Sequence, residues 1–248
     1  MLGIIGGTGF GEFAGLEKPQ DRVVETQWGA AELQFGELSG HAVVFLPRHG
    51  MPPRNPPHRI NYRANIQALS DVGVTRILAV TAVGTVSWDL AVPAVVVPDQ
   101  IIDYTQGRAQ TYFDNVLHHI DFTHPFDLAM RRELIDILRS MAPNYPELVF
   151  SEAGTYGCTE GPRLETAAEI ARLRQDGCHI VGMTAMPEAA LARELDIPYA
   201  GLSVTVNPGA GMVDRDITLP EIEAAMTEGL EWVKEALRIL VTTSASSH

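Results

Sequence analysis

The run Arg76–Val86 constrains the fold more than any other stretch of this chain. It reads RILAVTAVGTV, a nearly continuous apolar series that ends in small and polar residues. A strand that exposes one face to water alternates polar and apolar residues, whereas a continuous apolar run is typical of a parallel strand buried on both faces. We therefore expect a sheet that is covered by helices on both sides.

The other apolar stretches alternate between strand-like and helix-like patterns. This alternation predicts a single α/β domain over residues 1–241, with a twisted, mainly parallel (mixed) central sheet flanked by helices. A disordered tail is expected over residues 242–248. Strands are expected at Leu2–Ile5, Ala31–Leu38, Ala42–Leu46, Val92–Val97, His179–Met183 and Tyr199–Asn207, and helices at Ile60–Leu69, Pro125–Met141, Thr166–Gly177, Pro187–Leu195 and Pro220–Val241.

The acidic composition narrows the class of ligand. A formal net charge of -13 gives a surface that repels phosphate backbones and anionic lipid. The apolar runs are too short to cross a membrane, and the first residues lack the basic start of a signal peptide. Cys158 and Cys178 match no zinc spacing and make a poor disulfide framework. We expect a cytoplasmic protein with reduced thiols that binds neither nucleic acid nor membrane.

An Arg-His-Gly triplet follows the predicted strand Ala42–Leu46. Arg48 offers a planar fork of donors that suits an oxyanion, and His49 can add a donor or a proton. Open α/β sheets usually bind ligands beyond the carboxyl ends of their strands, which favours a small-anion site. For the triplet alone, a solvated surface loop is an equal alternative.

A glycine-rich turn around Thr8 follows the first predicted strand. Its backbone N–H groups and the Thr8 hydroxyl are suited to cradle phosphate. A dinucleotide-binding turn is the rival interpretation, but its G-x-G-x-x-G spacing is missing. His118, His119 and His124 lie further along without an acidic or cysteine partner, so we expect loop histidines and no metal site.

Seven stretches resemble, in order, the trimeric purine nucleoside phosphorylase and methylthioadenosine phosphorylase family. They are IIGGTGF, RHG followed by PHRINYRANI, VTAVGTV, PDQIIDYT, HIDFTHPF, GTYGCTEGPRLETAAE and VGMTAMPEAALARE. One such stretch is weakly diagnostic, whereas seven in family order are specific. The resemblance implies a homotrimer in which inorganic phosphate, a co-substrate, attacks C1′ of a nucleoside and the purine leaves. It implies no cofactor and no metal.

The resemblance also implies roles for individual residues. Phosphate would be held by Thr8, Arg48, His49, Thr81, Ala82 and Thr184. Met183 would lie under the ribose. A 5′-methylthio group would be enclosed by Leu219, Ile222 and, from the neighbouring subunit, His119. Both aliphatic residues also fit an ordinary helix core.

The residues at the base pocket differ from those of aminopurine-cleaving members. After the sequence EGPR, those members usually carry an aromatic residue followed by Ser, where this chain has Leu164 and Glu165. They also carry an aspartate pair where this chain reads VTVNPGAG. A 6-oxopurine presents an N1–H donor and an O6 acceptor, which match the Glu165 carboxylate and the Asn207 amide N–H. Adenine presents an acceptor at N1, and a buried mismatch of that kind costs roughly 1–3 kcal/mol.

Alternatives remain at both positions. A gapless match places Val206 opposite the first family aspartate, and Asn207-Pro208-Gly209 also suits a simple turn. Glu165 also suits the first turn of a helix, where the dipole favours a carboxylate. The expected reaction is phosphorolysis of methylthioinosine to hypoxanthine and 5-methylthioribose 1-phosphate. Methylthioadenosine or general 6-oxopurine nucleosides are alternative substrates, and a non-catalytic nucleotide-binding module or an NAD enzyme are alternatives from other classes.

Overall fold

A computed structural model describes residues 1–7 and 15–245 of the chain, and within them lie eleven strands and five α-helices. The strands are β1 Leu2–Gly6, β2 Glu17–Thr26, β3 Gly29–Leu38, β4 His41–Pro47, β5 Arg76–Thr85, β6 Val95–Val96, β7 Gln100–Asp103, β8 Phe150–Ser151, β9 Thr155–Cys158, β10 Ile180–Gly182 and β11 Tyr199–Pro208. The helices are α1 Tyr62–Asp71, α2 Leu128–Met141, α3 Ala167–Gln175, α4 Ala185–Glu194 and α5 Leu219–Ala245. A short 3-10 helix, Pro57–Arg59, precedes α1.

All eleven strands join one mixed sheet. Its main path runs β2-β3-β4-β1-β5-β10-β9-β7, and β11 pairs with β5 and links to β6 and β8. The pairings of β1 with β4 and β5, and of β5 with β11, are parallel. The strands expected at Ala31–Leu38 and Ala42–Leu46 are present as β3 and β4, which pair with each other in antiparallel orientation. The structure therefore confirms the predicted α/β class with a mostly parallel sheet.

Neighbouring residues of the central strands face opposite helix layers. Ile4 and Leu78 pack in a core with α2 and α5, while Ile5 and Ala79 pack in a second core with α1 and α4. Strand side chains alternate between the two faces, so a strand covered on both sides needs apolar residues at successive positions. This requirement explains the continuous apolar pattern of β5 and confirms that helices cover both faces.

Several elements differ from the sequence-based expectations, among them β2 and the end of α5. β2 was not predicted, because most of its residues are exposed and it lacks an apolar alternation. The tail expected to be disordered over 242–248 is helical as far as Ala245, which corrects that prediction for residues 242–245. The hydroxyls of Thr242 and Thr243 donate to the carbonyls of Arg238 and Ile239 one turn earlier, so both polar side chains are compatible with a helix. Residues 246–248 lie outside the described part of the chain.

Among the described helices, none combines the length and the apolar character needed to cross a membrane.

Candidate active site

A cavity of about 210 Å³ opens at one edge of β5. β1 pairs with this edge over Arg76–Ala79, and β10 pairs with it at Gly84 and Thr85. Between them, Val80–Val83 pairs with no strand of the described residues on that side. Residues at and beyond the carboxyl ends of β4, β5, β10 and β11 line the opening, where an open α/β sheet is expected to bind its ligand.

Arg48 is the fixed cation of this cavity. It is 1% exposed and forms a bidentate ion pair with Glu188 of α4, with 3.0 Å between Nη2 and Oε2. Its Nη1 also donates to the carbonyl of Val80 at 3.2 Å. Burial alone would lower the pKa of Arg48, but the Glu188 carboxylate outweighs it and raises that pKa. The guanidinium therefore stays charged inside an acidic protein.

Glu188 is a site residue that the sequence motifs did not single out. Its side chain is 2% exposed, and Oε2 accepts a hydrogen bond from the Tyr199 hydroxyl at 3.0 Å. The available signal was a single carboxylate within the apolar run MPEAALA. A buried carboxylate needs a cation or several donors, so such a residue predicts a partner without identifying it.

His49 lines the cavity next to Arg48. Its Nδ1 lies 2.7 Å from the carbonyl of Asn55, so Nδ1 carries the proton and Nε2 is left for a ligand. Burial lowers the pKa of His49, and the charge of Arg48 lowers it further. Because the imidazole is mainly neutral at neutral pH, Nε2 has to gain a proton before it can donate to an anion.

Two hydroxyl groups add further donors. Thr81 in β5 is 6% exposed, and its Oγ1 lies 2.9 Å from Oγ of Ser203 in β11. Thr184 is the N-cap residue of α4, but its side chain does not cap the helix. Both line the cavity together with Ala82. A guanidinium, an imidazole and hydroxyls in one cavity form a donor set that suits a phosphate ion.

Met183 lines the cavity, and the backbone at Gly161 approaches its side chain closely. A Cβ added to Gly161 would overlap Sδ of Met183. Gly161 also has φ +64°, a conformation that residues with a side chain rarely adopt. The backbone conformation therefore favours glycine at this position, and a larger residue would displace the Met183 side chain.

Glu165 and Leu164 reach the cavity from the segment between β9 and α3. The Thr159 hydroxyl donates to Oε1 of Glu165 at 2.6 Å. α3 has Thr166 as its N-cap, and the acidic residue in its first turn is Glu169. Glu165 therefore precedes the helix, and the alternative interpretation as a first-turn carboxylate is wrong.

Asn207 and Val206 both line the cavity, because β11 is irregular here. Its register against β5 shifts between Thr205 and Asn207. A bulge sets two residues against one of the partner strand, which explains how consecutive residues reach one cavity. Nδ2 of Asn207 donates to the Pro208 carbonyl at 2.8 Å. The same Nδ2 packs closely on Gly84, where an added Cβ would lie 3.3 Å from it.

Apolar side chains line the part of the cavity next to α5. Ile222 is there as predicted, together with Ile217 and Met226. Leu219 is 73% exposed and does not line the cavity of its own chain, which corrects the prediction for that residue. Helical side chains lean toward the N-terminus, so that of Leu219, the first residue of α5, extends past the helix start.

One more predicted residue lies away from the cavity of its own chain. His119 is exposed in the segment between β7 and α2 and does not line its own chain's cavity. Its predicted contact is with the site of a neighbouring subunit, and this contact stays a prediction. Thr8 lies outside the described residues.

Arg108 is a second buried residue that the motifs did not single out, and its side chain is 2% exposed. Nη1 donates to the carbonyls of Met183 and Met186 at 2.8 and 2.7 Å, and Nη2 donates to that of Glu160 at 2.9 Å. The guanidinium thus joins two segments that line the cavity. Its sequence context, a polar and irregular stretch, does not indicate burial.

The described residues contain no group of three His, Cys, Asp or Glu side chains that could hold a metal ion. Cys158 and Cys178 are free and buried. Burial raises the pKa of the Cys158 thiol to about 12, so little thiolate forms at neutral pH.

Known proteins of similar sequence and structure agree with the resemblance seen in the motifs. A protein of Pseudomonas syringae pv. tomato described as a probable S-methyl-5′-thioinosine phosphorylase is 47% identical over 98% of this chain and 99% of its own length. The 6-oxopurine nucleoside phosphorylase of Pyrococcus furiosus is 40% identical over 93% of this chain and 88% of its own. The methylthioadenosine phosphorylase of Schistosoma mansoni, solved in complex with adenine, matches with a TM-score of 0.91 and 29% identity, covering 99% of this chain and 92% of that one.

The model of the Phosphorylase superfamily matches residues 1–242, nearly the whole chain. The relatives that share its sequence and fold are nucleoside phosphorylases. The predicted family is therefore confirmed, and the chain belongs to the phosphorylase superfamily.

Proposed function

We propose that this chain catalyses the phosphorolysis of S-methyl-5′-thioinosine to hypoxanthine and 5-methylthioribose 1-phosphate. One observation carries the proposal: the donors suited to phosphate and the pair Glu165 and Asn207 line the same cavity. A phosphate ion and a purine placed there would lie close enough to share one sugar. The name of the Pseudomonas syringae relative supports this choice of substrate.

In the proposed reaction, an oxygen of inorganic phosphate forms a bond to C1′ while the bond from C1′ to N9 of the base breaks. The electron pair of the broken bond goes to the purine, and the sugar passes through a cationic, oxocarbenium-like state. Arg48, His49, Thr81 and Thr184 would orient the phosphate, with Ala82 beside it, and Thr8 is assigned to the same task from the motif. A clamp of this kind acts by positioning and by electrostatic stabilisation of the cationic sugar.

Base recognition is assigned to Glu165 and Asn207. The Glu165 carboxylate would accept the N1–H of a 6-oxopurine, and the Asn207 amide would donate to N7 or O6 as negative charge develops there. Leu164 would pack beside the base. Adenine has no N1–H, so it would leave the carboxylate facing a lone pair.

The sugar is assigned to the apolar part of the cavity. Met183 would lie under the ribose, and Ile222, with Ile217 and Met226, would enclose the 5′-methylthio group. His119 is assigned to the same group from a neighbouring subunit, whereas Leu219 is left out of this part of the site. The active form would then be a homotrimer, with a mass in solution near three times the 27.0 kDa of one chain. We assign it to the reducing cytoplasm, with phosphate as co-substrate and no metal or other cofactor.

The test is base release from methylthioinosine, methylthioadenosine, inosine and adenosine, each with and without phosphate. We expect phosphate-dependent release with the highest kcat/KM for methylthioinosine. Preference for methylthioadenosine would contradict the roles of Glu165 and Asn207. Preference for inosine would keep those roles, would contradict the apolar 5′ pocket, and would favour the 6-oxopurine nucleoside activity named for the Pyrococcus furiosus relative.

A further inference from the structure

The carboxylate assigned to base recognition is itself held by a neighbouring hydroxyl. Oγ1 of Thr159 lies 2.6 Å from Oε1 of Glu165, within the short range of a hydroxyl donating to a carboxylate. The Gly182 carbonyl, at 3.4 Å from the same Oγ1, is a weaker alternative acceptor. The hydroxyl proton therefore lies toward Glu165.

We propose that Thr159 is a positioning residue that sets the base specificity of this site by orienting Glu165. This inference rests on the proposed function, since it assigns Glu165 to the N1 edge of the purine. A carboxylate has two oxygens, and the bond from Thr159 takes one acceptor site of Oε1. Oε2 then remains as the acceptor for a purine N1–H, and its lone pairs oppose the N1 acceptor of adenine.

The Thr159 hydroxyl can serve this role because the backbone N–H and carbonyl of Thr159 are both hydrogen-bonded. Its N–H donates to the Gly182 carbonyl at 2.8 Å, and its carbonyl accepts from Nη2 of Arg108 at 3.4 Å. Gly182 ends β10 and directly precedes Met183. The donor that orients Glu165 is thus tied to the segment assigned to the ribose.

Glu165 needs such a partner because its own backbone provides little constraint. It precedes the N-cap of α3, outside the helix, and a glutamate side chain has up to about 1.5–2 kcal/mol of rotamer entropy to lose when it is fixed. Fixing the carboxylate before the base arrives would make the donor–acceptor pattern selective, because a mobile carboxylate could turn away from adenine without cost.

The experiment compares Thr159→Val, which keeps the branched shape and removes the hydroxyl, with Thr159→Ser, which restores a donor. A matched control is Thr111→Val, because Oγ1 of Thr111 donates to Oε1 of Glu194 at the same 2.6 Å and Thr111 does not line the cavity. Calorimetry with hypoxanthine and with adenine, in phosphate buffer, measures base affinity without requiring turnover. Phosphate KM and melting temperature are measured in parallel.

We expect Thr159→Val to weaken hypoxanthine binding about tenfold, to change adenine binding little, and to leave phosphate KM unchanged. Thr159→Ser should restore most of the hypoxanthine preference, and Thr111→Val should keep it. The inference is overturned if Thr159→Val keeps the wild-type ratio of the two affinities, whether both affinities stay unchanged or both fall by the same factor.

The wild-type chain separates this inference from the proposed function. If it prefers hypoxanthine over adenine but does not cleave methylthioinosine, the proposed reaction fails and the variants still decide the role of Thr159. If it binds adenine as tightly as hypoxanthine, base recognition by Glu165 and its orientation by Thr159 both fail.

Discussion

At the scale of single residues, the site depends on how a cation is kept inside an acidic protein. The net charge is -13, yet Arg48 is almost fully buried in the cavity. Glu188 neutralises its charge and fixes two of its nitrogen atoms, so the guanidinium is oriented before an anion binds. A guanidinium that is already oriented loses less conformational entropy when it binds an anion than a mobile surface arginine does.

The buried ion pair gives the first prediction. Glu188→Gln should lower the free energy of unfolding by about 3–5 kcal/mol, because it leaves a buried guanidinium without a counter-charge. It should also raise phosphate KM, because Arg48 loses its orientation. Glu152→Gln is a matched control, since Glu152 forms a bidentate pair with Arg139 at the exposed surface. Loss of that exposed pair should leave the free energy of unfolding, measured with denaturant, nearly unchanged. Equal effects of both substitutions would contradict the role of Glu188.

His49 gives a prediction for pH dependence. Its pKa is lowered from the ordinary value of 6.5, and only the protonated ring can donate from Nε2, so anion affinity should fall as pH rises. Sulfate, which does not titrate between pH 5.5 and 8, is the appropriate probe. We expect its dissociation constant to rise with pH by up to about tenfold per unit. His49→Gln, which donates at every pH, should flatten the profile; an unchanged slope in this variant would assign the effect to another group.

At the scale of secondary-structure elements, the site is held together by segments that follow strands. The segment after β9 carries Glu165, and the segment after β10 carries Met183. Arg108 donates hydrogen bonds to carbonyls of both segments. The relative position of the proposed base and ribose sites thus depends on one guanidinium that lines neither.

We predict that Arg108→Lys affects both stability and nucleoside binding. An ammonium lacks the planar fork, so carbonyls of Met183 or Glu160 would lose their donor, and the free energy of unfolding should fall by about 2–4 kcal/mol. Arg131→Lys is the matched control, because Arg131 also donates to backbone carbonyls, three in number, but away from the cavity. Both variants should unfold earlier, but nucleoside KM should rise only for Arg108→Lys. A similar rise in both would assign the effect to general destabilisation.

The Gly161 turn gives a prediction that separates backbone strain from contact. Gly161→Ala and Gly40→Ala both place a side chain at positive φ, which costs roughly 1–2 kcal/mol. A Cβ at Gly40 meets no described atom within 4 Å, whereas one at Gly161 meets Met183. Both variants should melt at lower temperature, and Gly161→Ala should also raise nucleoside KM. Unchanged KM in Gly161→Ala would show that Met183 does not contact the nucleoside.

At the scale of the whole molecule, the site lies beside β5, where the strand paired with one edge changes from β1 to β10. β1 covers the first part of one edge of β5, and β10 takes over near its end. Of the four residues between, Val80–Val83, the last three line the cavity, and the carbonyl of Val80 accepts a hydrogen bond from Arg48. The same strand therefore supplies the centre of the core and the floor of the site.

The sequence pattern predicted the layered α/β fold because continuous apolar runs and helical periodicity are properties of local sequence. It also indicated about half of the residues that line the cavity, including Arg48, Thr81, Glu165 and Asn207, through motifs in or directly after strands. Glu188 and Arg108 were not predicted as site residues, since their roles depend on partners far away in the chain and on burial, which no local pattern reveals.

Two other outcomes could not be read from local sequence. The bulge that brings both Val206 and Asn207 to the cavity depends on pairing with β5, not on β11 alone. The exposed strand β2 is a strand because β3 provides its hydrogen-bonding partner, although its own residues show no apolar alternation.

A crystal structure with phosphate and hypoxanthine bound together tests the central claim most directly. We expect phosphate oxygens within hydrogen-bond distance of Arg48 and Thr184, and N1 of hypoxanthine within hydrogen-bond distance of Glu165 Oε2, with Thr159 still bonded to Oε1. A base bound in this cavity with its N1 edge turned away from Glu165, or a phosphate that does not contact Arg48, would contradict the assignment of this cavity as a 6-oxopurine phosphorylase site.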